Sequence, residues 1–202
     1  MATENSVTVL KHSLVSPPSS AAATAMSLPL TFLDMLWLHF SPVERLVLYE
    51  VPQLSRAHFI EHIIPKLEHS LSLTLQPFLP LAGNLIVPSN SNSANHARNC
   101  CDFHPLIPEL KPSTEDDSGS TARITPVLAL QVTLFPDCGM SIGISNHHTV
   151  GDAGSIFRFM KTWAALCSKC LEDNIDRDDV AATLAKTQRD LTQFFGTKGS
   201  SS

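Results

Sequence analysis

Leu128-Ala129-Leu130-Gln131-Val132-Thr133-Leu134, Pro136-Asp137-Cys138-Gly139 and Met140-Ser141-Ile142-Gly143-Ile144-Ser145 decide how this chain is read. Apolar residues alternate with small or polar ones on both sides of a turn-forming tetrapeptide, the period-2 pattern of two strands joined as a β-hairpin. One residue after the hairpin comes His147-His148-Thr149-Val150-Gly151-Asp152, and beyond it Ile156, Phe159, Met160, Trp163 and Cys167 fall on one helical stripe. The segment from His147 to Gly151 therefore reads as a strand-to-helix loop. A histidine there is held by rigid elements at both ends yet can face a cleft, which is where a general base has to be. His148 is the candidate base, with His147 as its hydrogen-bonded neighbour. Asp152 falls at the helix start, where a carboxylate caps orphan amides and braces the loop, and Gly151 lends that loop backbone freedom.

Working outward, Val43 to Glu50 partly alternates in polarity, as a half-buried strand does, and Val7-Thr8-Val9-Leu10 is β-branched enough for another strand. Leu28 to Phe40 has the composition of a buried helix. Ser55 to Leu75 carries Phe59, Ile60, Ile63, Ile64, Leu67, Leu71 and Leu75 at helical spacing, with Pro65 as a break or kink. Pro88 to Asn99 and Pro112 to Ser120 are polar enough to predict surface loops. Beyond Cys167, residues Val180, Leu184, Leu191 and Phe194 predict an amphipathic helix over 178–195, followed by a frayed end. Helices interleaved with strands make the fold class α/β, a mixed β-sheet with flanking helices.

Composition narrows the function classes. A net charge of -5 argues against a nucleic-acid partner, because a phosphate backbone calls for clustered Lys and Arg. The apolar stretch Leu28 to Phe40 is too short to cross a bilayer, and Met1 to Ser6 lacks the basic-then-apolar pattern of a secretory signal, so a cytoplasmic location and no membrane partner are expected. Five cysteines (Cys100, Cys101, Cys138, Cys167 and Cys170) show no regular framework and read as reduced thiols. His58 and His62 stand at i and i+4 without a third ligand, which reads as a solvated helix face and not a zinc site. No metal site is expected, and no Gly-x-Ser-x-Gly elbow marks a serine esterase.

The run Leu128 to Trp163, with Ser27 to Asp34, Leu71 to Leu75, Pro80-Leu81-Ala82-Gly83-Asn84-Leu85 and Phe103-His104-Pro105-Leu106, closely resembles the BAHD acyltransferases, especially those acting on anthocyanin and flavonoid glucosides. The likeness extends over roughly Val7 to Ala165. It implies an incomplete N-terminal lobe (residues 1–166) of a two-lobed, CoA-dependent fold, internally shortened near 87–94, and a divergent tail over 167–202. It implies transfer of a malonyl or hydroxycinnamoyl group from acyl-CoA, a co-substrate and not a bound cofactor, to a hydroxyl of a phenolic glycoside acceptor. In that resemblance His148 is the base, Asp152 pairs with a distant arginine in a structural role, Asp34 and Trp37 lie near the acceptor channel, and a complete protein is a monomer. A truncated, non-catalytic fragment serving as a binding or interaction module is the alternative.

Overall fold

The computed structural model describes residues 7–18, 27–88, 104–117, 120–171 and 177–196. In chain order its elements are α1 (Phe32–Trp37), β1 (Val43–Glu50), α2 (Arg56–His58), α3 (Ile64–Leu75), β2 (Asn84–Pro88), β3 (Ser113–Asp117), β4 (Ser120–Pro126), β5 (Leu128–Phe135), β6 (Gly139–Asn146), α4 (Ala153–Leu171) and α5 (Arg177–Gly196). A π-helical turn spans Phe59–Ile63, and 3-10 turns occur at Leu79–Ala82, His104–Leu106 and His148–Val150. The chain divides into two units, one drawn from Met1–Leu14, Met26–Phe59 and Pro80–Asp152, the other from Val15–Ala25, Ile60–Leu79 and Ala153–Ser202.

The first unit is β-rich. The expected hairpin forms as β5 and β6, with Val132 opposite Ile142 and Leu130 opposite Ile144, and β1 adds to the other side of β6 to give the order β1-β6-β5. A second antiparallel sheet has the order β2-β4-β3. The interleaving of helices and strands follows the sequence, but every ladder among the described residues is antiparallel, and the one mixed sheet expected is two separate three-stranded sheets.

Strand β6 is the central strand of its sheet. Both of its faces are buried from Ser141 to Asn146, because its alternate positions are small enough to accept covering backbone. At Gly143 a Cβ would overlap the Leu106 carbonyl oxygen and stand 3.0 Å from Ile107 Cα, so the chain after the His104–Leu106 turn lies directly on the strand. Gly143→Ala is expected to cost about 1–3 kcal/mol of stability, the overpacking penalty of a core with no room to yield, read as a lowered urea midpoint. Ser141 on the same side is fully buried, and its hydroxyl finds no hydrogen-bond partner among the described residues. Since an unpaired buried hydroxyl costs about 1–3 kcal/mol, Ser141→Ala is expected to raise that midpoint.

Three other expectations are corrected by tertiary context. Val7 to Leu10 forms no strand, because no described segment offers it a ladder. The stretch Leu28 to Phe40 yields only the six-residue α1 with no buried residue: Thr31 and Asp34 close a capping box at its start, and a turn followed by Pro42 stops it. The polar segment Pro112 to Ser120 holds β3, whose weak intrinsic propensity is overridden by pairing with β4. The other predicted loop, Pro88 to Asn99, lies outside the described residues beyond Pro88, as does the frayed end after Gly196.

The second unit is helical. Pro65 occupies the first turn of α3 and cannot donate a backbone hydrogen bond, and the turn immediately before it widens to π geometry, so the break predicted at Pro65 is a change of helix type. Helices α3 and α4 pack through Trp163, whose indole Nε1 donates to Ser70 Oγ at 3.1 Å and the Leu67 carbonyl at 3.3 Å. Ile156, Phe159, Trp163, Leu166 and Cys170 form the buried stripe of α4, with Phe159 edge-on to Phe78 at 5.6 Å. Helix α5 is joined to α4 by Thr162 and Thr187, whose hydroxyls are 3.4 Å apart, and by an exposed Lys169–Asp179 ion pair. Position 166 falls in the middle of α4.

Candidate active site

The candidate base lies on the 3-10 turn that follows β6. Its position is set from the strand outward: His147 still pairs with the sheet region, its backbone N–H donating to the Val127 carbonyl at 2.9 Å. The Val150 N–H then folds back onto the His147 carbonyl at 3.3 Å and closes the turn that carries His148. The His147 side chain caps this turn. Its Nδ1 accepts from the Thr149 backbone N–H at 3.4 Å and lies 2.8 Å from the Thr149 hydroxyl. Accepting at Nδ1 places the imidazole proton on Nε2.

His147 is buried, and this lowers its pKa below the usual 6.5; the neighbouring His148 pushes the same way, while a hydrogen bond to the Leu38 backbone opposes both. The unfolded chain therefore takes up this proton more readily than the folded one. Above pH 6.5 the group has no effect on stability; below 6.5 the unfolded state protonates first and stability falls with pH. A urea midpoint followed from pH 7.5 to 5.5 is expected to decline less steeply in His147→Gln than in the unaltered chain.

His148 is half-buried, and its ring lies parallel to the indole of Trp37, with centroids 4.0 Å apart and an interplanar angle of 12°. Trp37 is the last residue of α1 and also touches Phe40 at 5.1 Å. The Leu38 bond to His147 and the Trp37 stack on His148 thus tie one end of α1 to both histidines. Asp34 stands one turn back, with its carboxylate engaged by the Thr31 backbone N–H at 2.8 Å and hydroxyl at 2.7 Å. Its visible work is to start the helix that presents Trp37.

Gly151 has φ 171° and ψ 147°, extended backbone that any residue adopts, so the freedom expected of a glycine is not used here. Asp152 is exposed and immediately precedes Ala153, the first residue of α4.

Two site residues escaped the sequence reading. Asn146, the last residue of β6, is 1% exposed; its Oδ1 accepts from Arg45 Nη1 at 2.8 Å and its Nδ2 donates to the His147 carbonyl at 3.3 Å. The hint available in sequence was an asparagine ending an otherwise apolar or small strand, directly before the paired histidines. Its partner on β1 depends on strand register, which sequence does not display.

Among the described residues there is no group of three or more His, Cys, Asp or Glu that could hold a metal ion, and none of the described helices is long and apolar enough to cross a membrane. Cys167 and Cys170 are free thiols on α4, and burial is the main cause that raises the pKa of each.

The sequence profile of the Transferase family matches residues 5–103 and, separately, 95–194. The chain belongs to this family. The second matched stretch contains the hairpin, both histidines, and helices α4 and most of α5. This Transferase-family chain is 40% identical to a malonyl-coenzyme A:anthocyanin 3-O-glucoside-6''-O-malonyltransferase of Dahlia pinnata, over 80% of its own length and 40% of that protein's. It is 39% identical to phenolic glucoside malonyltransferase 1 of Nicotiana tabacum (74% of this chain, 38% of that protein) and 38% identical to a malonyl-coenzyme:anthocyanin 5-O-glucoside-6'''-O-malonyltransferase of Salvia splendens (79% and 39%). The chain thus spans about two fifths of the length of the curated relatives it matches.

Proposed function

We propose that the chain carries the base-bearing part of an acyltransferase that moves a malonyl group from malonyl-CoA to a sugar hydroxyl of an anthocyanin or other phenolic glucoside, with His148 as general base. The observation that carries this reading is the family match across residues 95–194, together with the malonyltransferase names of the relatives near 40% identity. A hydroxycinnamoyl donor has weaker support, since the coumaroyltransferase relative is 31% identical.

The chemistry fits an imidazole without any covalent acyl-enzyme. His148 takes the proton of the acceptor hydroxyl as that oxygen attacks the thioester carbonyl. The tetrahedral oxyanion collapses, the C–S bond breaks, and the imidazolium returns the proton to the departing CoA thiolate. Trp37, stacked on the imidazole, fixes the ring plane and offers an aromatic surface beside it, which suits an acceptor with a flat phenolic ring. On this reading Asp152 is a structural brace at the head of α4, and Asp34 supports the acceptor side by holding α1.

The same reading makes residues 1–166 the N-terminal lobe of a two-lobed fold, shortened near 87–94, with 167–202 as a tail. Two observations support an internal shortening. The family profile matches in two pieces that meet between 95 and 103, and the Dahlia alignment runs to 191 positions while taking up only 80% of 202 residues, about 162 of them. About 30 positions of the relative, the difference between 191 and 162, therefore face no residue here.

One observation favours a second reading, a non-catalytic fragment: the chain spans two fifths of its relatives. Incubation of the purified chain with malonyl-CoA or p-coumaroyl-CoA and an anthocyanidin glucoside distinguishes the two. Malonylated glucoside above the protein-free background supports the enzyme; no product from either donor supports the fragment.

A further inference from the structure

We propose that Asn146 is a positioning residue for His148, acting through the His147 carbonyl, with Arg45 setting the direction of its side-chain amide; the catalytic meaning of this rests on the reading of His148 as the base. The amide orientation is set at Arg45. A guanidinium has donors only, so its Nη1, 2.8 Å away, requires the oxygen and not the nitrogen of the Asn146 amide to face it. With Oδ1 committed to Arg45, Nδ2 is turned toward the His147 carbonyl at 3.3 Å. That same carbonyl accepts the Val150 N–H, the bond that closes the His148 turn. Arg45 therefore selects the amide orientation, and the amide braces the carbonyl on which the turn closes.

Strand register makes this reach possible. Asn146 stands opposite Val43 on β1, and Arg45 is two residues along the same strand, a diagonal neighbour within reach of a long side chain. Asn146 is 1% exposed and Arg45 half-buried, so a residue without the amide leaves the His147 carbonyl with the Val150 N–H alone and takes an acceptor from the guanidinium. The His148 ring is where misplacement shows, because its stack on Trp37 tolerates little rotation at 4.0 Å and 12°. A positioning residue of this kind alters geometry first and rate second.

The test is nuclear magnetic resonance of the His148 imidazole protons in the full chain. In the unaltered protein, stacking on Trp37 shifts them upfield of a free imidazole, and Trp37→Ala abolishes the shift. Asn146→Ala is expected to lose most of it while the β5–β6 amide resonances stay dispersed. Should Asn146→Ala not fold, Asn146→Asp decides: it keeps the volume and the acceptor for Arg45 but cannot donate to the His147 carbonyl, and it too is expected to reduce the shift. An unchanged His148 spectrum in a folded Asn146→Ala or Asn146→Asp overturns the proposal. In acyl transfer the same variants are expected to lower kcat with KM for malonyl-CoA little changed. A chain that shows the shift and its loss in the variants, but no turnover, upholds the positioning role and contradicts the catalytic reading.

Discussion

Phe159→Ala is expected to lower the free energy of unfolding by about 3–5 kcal/mol, the range for deleting a buried aromatic ring whose cavity does not collapse. Phe159 is 0% exposed, and its ring is held on two sides, edge-on to Phe78 at 5.6 Å and near Trp163 at 6.3 Å. The Trp163 indole is itself tied to Ser70 and the Leu67 carbonyl, so it cannot swing into the vacated space without breaking those bonds. For a domain whose whole stability is on the order of 5–15 kcal/mol, this is a large fraction. Phe157, two residues earlier, supplies the internal control: it is 57% exposed and lies beneath Lys161 Nζ at 4.6 Å, so Phe157→Ala is expected to cost no more than about 1 kcal/mol. Urea unfolding of the two variants side by side checks this, and equal midpoints contradict the packing described for α4.

On the proposed role of His148 as base, His148→Ala carries the largest expected effect on function, a fall in acyl-transfer rate of about 10²–10⁴-fold, the usual contribution of general-base catalysis. The ring's surroundings make this a test of chemistry more than of folding. His148 is half-buried, it ends no ladder, and its stacking partner Trp37 is on the partly exposed end of α1. His147 is the reverse: buried, bonded at Nδ1 and through the Leu38 backbone, and unavailable to an acceptor. Exchange of roles between the two histidines would therefore show as a larger loss in His147→Gln than in His148→Ala, together with native unfolding behaviour in both. His147→Gln is expected instead to act on stability and on the placement of the turn.

The hairpin, β1 and the helices α4 and α5 were legible because each repeats its own period over eight residues or more, and the Pro136-Asp137-Cys138-Gly139 turn fixed the hairpin's register. Family membership, too, was legible in the residues around His148, as the profile match bears out. What escaped depended on partners far away in sequence. Ser113–Asp117 reads as a polar loop until β4 offers it a ladder, and the alternation of β6 does not display the Leu106–Ile107 backbone laid over Gly143. The Arg45–Asn146 bond joins residues 101 positions apart, and no local pattern encodes it. Trp37 was placed near an acceptor channel by resemblance alone; its contact with His148 required α1 to dock end-on to the turn.

The most direct measurement of the central claim is the initial rate of malonylated product formed from malonyl-CoA and an anthocyanidin glucoside by the unaltered chain and by His148→Ala, at equal concentrations of folded protein. A rate in the unaltered chain that exceeds the variant's by about 10²-fold or more is the predicted result. Equal rates above background would contradict the assignment of His148 as the base, and background rates in both would contradict acyl transfer by this chain.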